Sequence, residues 1–103
     1  MAEWVKVGSA DEVPEGEAKA FPVGDAEIAV ARSNGTLYAF SDICTHRGCN
    51  LANGGEIDGS TIECECHGSI FEMGTGEVVE GPAVEPIATF GVSDEGGELK
   101  VEA

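Results

Sequence analysis

The sequence predicts an all-β protein: an antiparallel β-sandwich base built from both ends of the chain, with a small loop-rich insertion between them. Short apolar–polar alternations of period two recur through residues 1–43 and 82–103. No window offers an N-cap followed by an apolar 3.6-residue repeat, so no helix is expected. Eight of the fifteen glycines (Gly48, Gly54, Gly55, Gly59, Gly68, Gly74, Gly76 and Gly81) fall between Cys44 and Gly81. Glycine at that density serves tight turns and close backbone approach rather than long elements.

Taken in order, Trp4 to Val7 alternates as a short strand, and a polar turn runs from Ser9 to Gly16. Ala18 to Val23 reads as a second strand, which Pro22 confines to an edge or an end because proline cannot donate to a ladder. Gly24-Asp25 is a two-residue turn signal, and Glu27 to Arg32 continues as a strand. Asn34-Gly35 suits a type I′ hairpin, whose two central residues both need positive φ. Thr36 to Ser41 is the returning strand and leads directly into Cys44. Within the insertion only Glu56-Ile57, Thr61 to Glu63 and Ser69 to Glu72 fit short strands. Ile87 to Val92 and Glu98 to Glu102 form a last hairpin across Asp94-Glu95-Gly96-Gly97. The chain is therefore expected to be a single domain, residues 1–103, with a base from 1–43 and 82–103 and a subdomain from 44–81.

A chain of 103 residues can bury roughly 65% of its unfolded surface and hold a core without obligatory staples. Twenty acids oppose only Lys6, Lys19, Arg32, Arg47 and Lys100, a net charge of −15. That balance argues against nucleic acid or an anionic membrane as a partner, since phosphate contacts need a basic face. It favours proteins that present a basic patch, with faster encounter at low salt. The start, Met1-Ala2-Glu3-Trp4, carries no basic n-region, and no apolar run reaches the ~18 residues needed to cross a bilayer. A cytoplasmic protein is expected. There, four cysteines suggest metal binding before a disulfide framework.

The chemistry concentrates in Cys44-Thr45-His46-Arg47-Gly48-Cys49 and Cys64-Glu65-Cys66-His67-Gly68-Ser69. The chain has two histidines, His46 and His67, and each stands at ligand spacing from a cysteine, as Cys44-x-His46 and Cys64-x-x-His67. Zinc is the competing metal, because two cysteines and two histidines are a common zinc set. Zinc fingers usually pair Cys with Cys and His with His, whereas each loop here is mixed. Mixed loops suit a binuclear [2Fe–2S] cluster with two thiolates on one iron and two imidazoles on the other.

Cys-Thr-His-x-Gly-Cys followed by Cys-x-Cys-His-Gly-Ser resembles the Rieske family, and Gly81-Pro82-Ala83 is similar to the proline loop that covers the cluster there. The resemblance extends over nearly the whole chain. It implies the Rieske fold and one [2Fe–2S] cluster per chain, with Cys44 and Cys64 on the inner iron and His46 and His67 on the outer. It also implies a Cys49–Cys66 disulfide, the pair that braces the loops in Rieske proteins of respiratory and photosynthetic complexes; free thiols or small buried residues are the alternative. Ser69 matches a serine able to donate to a bridging sulfide, and Phe71 stands where the high-potential branch has a tyrosine. With neutral imidazoles the oxidised site carries no net charge, which places Rieske potentials at about −150 to +300 mV against about −400 mV for plant-type clusters. The missing tyrosine and the acidic surface predict an intermediate to low value within that range. Arg47, beside His46, is either a solvated turn residue or a partner contact.

Catalysis by this chain alone is not expected. With both histidines committed, no 2-His-1-carboxylate iron site can form, nor a Ser-His or Cys-His nucleophile pair. The resemblance implies instead a monomeric one-electron carrier, the ferredoxin of a multicomponent ring-hydroxylating dioxygenase. Its partners would be an NAD(P)H-dependent, flavin-containing reductase and a terminal Rieske oxygenase. The alternatives are a Rieske-type small subunit of a reductase such as assimilatory nitrite reductase, a cytochrome-complex subunit (which needs a membrane anchor) and, remotely, a zinc-stabilised interaction module.

Overall fold

A computed structural model describes residues 3–24, 26–43, 50–52, 54–65, 68–81, 83 and 85–102. Among the described residues ten strands form: β1 (Trp4–Ser9), β2 (Ala18–Val23), β3 (Ala26–Ser33), β4 (Thr36–Ser41), β5 (Glu56–Asp58), β6 (Thr61–Glu63), β7 (Ile70–Glu72), β8 (Val78–Glu80), β9 (Thr89–Glu95) and β10 (Glu98–Glu102). They make a six-stranded sheet of order β1-β10-β9-β4-β3-β2 and a four-stranded sheet of order β5-β6-β7-β8. Every described ladder is antiparallel. The all-β expectation holds.

Local chemistry explains most of the boundaries. Asn34 and Gly35 both take positive φ (53° and 76°), giving the primed turn expected between β3 and β4. The strand carrying Pro22 does lie at a sheet edge. Three expectations need correction. The last hairpin turns on Gly96-Gly97 alone, so β9 extends to Glu95 and begins at Thr89 rather than Ile87. Val78–Glu80, read as loop, pairs with β7 as an edge strand. Ala10–Glu12 winds into a single 3-10 turn, with the Glu12 carboxylate accepting the Ser9 N–H at 2.8 Å.

The two-residue period of β3 places the two layers. Ile28 and Val30 enter a core with Val13, Phe21, Ala39, Leu99 and Val101, between the two halves of the large sheet. Ala29 and Ala31 enter a second core with Phe40, Leu51, Ile62, Cys64, Phe71 and Met73. Residues 28–31 are all buried, so this strand reads as an apolar run rather than an alternation. Phe40 and Ala39 divide between the same two cores on β4. Small side chains at 29 and 31 let the four-stranded layer approach closely. The β3–β4 hairpin is thus the wall shared by the two cores.

Candidate metal centre

The first loop leaves the shared wall at the end of β4. Ile43 and Asn50 close its neck through an isolated antiparallel bridge. Asp42 stands inside the neck with no solvent exposure. Its main-chain N–H donates to the Glu27 carbonyl at 3.0 Å, and its carbonyl accepts the Leu51 N–H at 2.6 Å. Its carboxylate accepts the Ala52 N–H at Oδ1 and the Asn50 Nδ2 at Oδ2, both at 2.7 Å. The same Asn50 amide reaches Glu27 Oε2 at 3.0 Å. Leu51, fully buried, anchors the returning chain in the outer core.

The second loop joins β6 to β7 and closes on its own backbone. The Cys64 N–H donates to the Ser69 carbonyl at 2.7 Å, and the Gly68 N–H returns to the Cys64 carbonyl at 2.9 Å. Gly68 sits at φ +77°, a conformation side chains disfavour, so the tight turn needs glycine there. Cys64 is 1% exposed and belongs to the outer core. Ser69, expected as the first residue of β7, lies just before it and is fully buried. Its hydroxyl oxygen accepts the Ala83 N–H at 3.0 Å. That bond ties Ala83 to the second loop and leaves the hydroxyl proton to donate elsewhere. Phe71, fully buried, pairs across the small sheet with Ile62 and Val78.

The anchors of both loops and of the third segment therefore meet: Leu51, Cys64, Phe71 and Ala83 share one core. Of the residues expected at the site, Cys64, Ser69, Phe71 and Gly81 are described, and Gly81 is exposed. Cys44, His46, Arg47, Cys49, Cys66, His67 and Pro82 lie outside the described residues, and with them the expected Cys49–Cys66 bridge. Sequence reasoning missed Asp42 and Asn50. Their only trace was position, one two residues before Cys44 and the other immediately after Cys49.

The surface beside Cys64 is acidic. Glu56 and Glu63 oppose each other directly across the β5–β6 ladder, an arrangement that costs stability between like charges. With Gly54, Cys64 and Glu65 they line a pocket of about 200 Å³. Residues 44–81 hold seven acids against Arg47 alone.

The described part of the site fits an iron–sulfur group. Cys64 offers a thiolate in a water-excluded position, at the head of a loop whose backbone is already closed. Ser69 holds a buried hydroxyl with a proton to give. Potential at such clusters is set by hydrogen bonds to sulfur, net charge and solvent exposure; the described residues hold a buried hydroxyl, a set of acids and a buried cysteine.

Known proteins are similar to this chain in sequence and in fold. A family model described as the Rieske [2Fe-2S] domain matches residues 3–91. The biphenyl dioxygenase ferredoxin subunit of Pseudomonas sp. (strain KKS102) is 34% identical, over 96% of this chain and 91% of the relative. The ferredoxin of carbazole 1,9a-dioxygenase from Nocardioides aromaticivorans IC177 superposes with a TM-score of 0.88 at 32% identity, covering 95% of each chain. A chain from the complex of reduced oxygenase and oxidized ferredoxin in carbazole 1,9a-dioxygenase gives 0.87 at 36% identity, over 96% of this chain and 92% of that one.

Proposed function

Because the chain belongs to the Rieske [2Fe-2S] family, we propose that it is a cytoplasmic, monomeric one-electron carrier. It takes electrons from an NAD(P)H-dependent flavin reductase and delivers them to a terminal ring-hydroxylating dioxygenase. The observation that carries this reading is the match to a dioxygenase ferredoxin along nearly the full length of both chains. In it, Cys44 and Cys64 hold one iron of a single [2Fe–2S] cluster, and His46 and His67 hold the other. Bound there, the cluster accepts and releases one electron.

The chain's own residues set how readily that happens. Ser69 donates its hydroxyl proton toward the cluster sulfur, which favours the reduced state. Phe71 withholds a second donor, and the acids around Cys64 oppose added negative charge. Gly81 and Pro82 continue the segment held by Ser69 and cover the site. Cys49 and Cys66 form a disulfide that braces the two loops. Arg47 contacts the partner beside His46. The uncompensated acids of the insertion draw basic partner surfaces to the side where electrons leave.

Anaerobic mixing of the holoprotein with a flavin reductase and NAD(P)H tests the assignment. Visible bleaching at a rate that falls with ionic strength is expected, followed by reoxidation when substrate-loaded oxygenase is added. A colourless zinc protein, or one that purifies only as a subunit of a larger reductase, would overturn it. Thiol titration of denatured, demetallated protein without reductant tests the brace: two free thiols support it and four refute it.

A further inference from the structure

We propose that Asp42 is a positioning residue for the cluster: its buried carboxylate locks the neck of the first loop and so fixes how that loop presents its donors. The inference rests on the assignment of Cys44 and His46 as ligands. Burying a carboxylate is costly unless hydrogen bonds replace its water. Asp42 meets that condition with two donors at 2.7 Å, one from each side of the returning chain: the Asn50 side chain and the Ala52 main chain. The Asn50 amide donates to Glu27 as well, which fixes its orientation, since only the nitrogen end can serve two carboxylates.

Loop closure alone does not need this group. The second loop closes over a shorter span with main-chain bonds alone, and the first already has the Ile43–Asn50 bridge and the Asp42–Leu51 bond. What the carboxylate adds is a lateral constraint. It fixes Asn50 and Ala52 relative to Asp42, and so sets where the loop begins and ends. Groups that orient metal ligands from behind typically change metal affinity or activity by about 10–100-fold when removed.

Asp42→Asn is the test, made on the holoprotein. The amide keeps the volume but turns one acceptor into a donor, so either Asn50 or Ala52 loses its partner. Glu15→Gln is the control: Glu15 also accepts two main-chain N–H groups, from Asn34 and Gly35, but at the β3–β4 turn. Asp42→Asn should retain its far-ultraviolet spectrum, lose iron to a chelator about tenfold faster or more, and shift both its EPR g-values and its midpoint potential. Glu15→Gln should leave those three unchanged. An Asp42→Asn protein that keeps wild-type g-values, potential and iron loss would overturn the proposal. If that variant does not fold, Asn50→Ala, which removes one of the two donors, decides by the same three readings. A wild-type protein without a Rieske EPR signal would instead overturn the ligand assignment.

Discussion

The first loop leaves the β3–β4 wall and is fastened at its neck by side chains as well as backbone, the Asp42 carboxylate holding Asn50 and Ala52, with Leu51 sunk in the core. The second loop grows out of the small sheet and is fastened by its own backbone, Cys64 to Ser69 and Gly68 to Cys64, with Ser69 as its link to the third segment. The contrast follows from what each loop spans. β6 and β7 are ladder partners, so a hairpin closes without help. Past the end of β4 the described backbone offers one isolated bridge, Ile43 to Asn50, and the Asp42–Leu51 bond in place of a ladder, and a carboxylate adds the lateral constraint. A hairpin tolerates side-chain change so long as its glycine remains. A carboxylate clamp depends on one residue.

The largest effect expected of any substitution is at a proposed ligand, where the contrast disappears. Cys64→Ser should remove the visible spectrum and bring iron to none per chain, with the base still folded by far-ultraviolet circular dichroism; retention of a normal Rieske spectrum would show that Cys64 is not a ligand.

Leu51→Ala strikes the anchor of the first loop. It should cost about 2–5 kcal/mol in denaturant unfolding, as other buried Leu→Ala changes do. Amide exchange should quicken at Leu51 and Ala52 before it does at Cys64 and Gly68. Equal quickening in both loops would show that they are held as one unit.

Ser69→Ala strikes the second loop, leaving the buried Ala83 N–H without its acceptor, at about 1–3 kcal/mol. It should also lower the midpoint potential, while Phe71→Tyr should raise it, each read by dye-mediated titration. A wild-type midpoint above about +200 mV on the Rieske scale would contradict the intermediate-to-low assignment.

The smallest effect lies in the base, away from both loops. The Gly35 and then the Asn34 N–H hold the Glu15 carboxyl below its ordinary value of 4.5. Lys19, and then the Ser9 N–H, lower Glu12 in the same way. Both groups bind protons more weakly folded than unfolded, so their stabilisation is present above pH 4.5 and is lost as pH falls below it, through the folded values. The thermal midpoint should decline over that interval, and less steeply in Glu15→Gln.

The ladders were legible wherever a local rule governs: Pro22 at an edge, Asn34-Gly35 at a primed turn, the apolar strands leading to Cys44. Val78–Glu80 was not, because its apolar residues adjoin without alternation and its ladder to β7 shifts register. The span of β9 slipped because Ile87 is apolar for the outer core rather than for a ladder.

By itself, the sequence determined the all-β class and the Cys/His pattern that matches the Rieske family, since ligand identity and spacing are local chemistry. It could not separate the two faces of β3, because a strand buried on both sides has no alternation to read. The tertiary structure alone decided that Leu51, Cys64, Phe71 and Ala83 meet in one core, and that the Asp42 carboxylate clamps the neck of the first loop. A carboxylate in a sequence reads as surface, and becomes a clamp only when folding removes its water and supplies two donors.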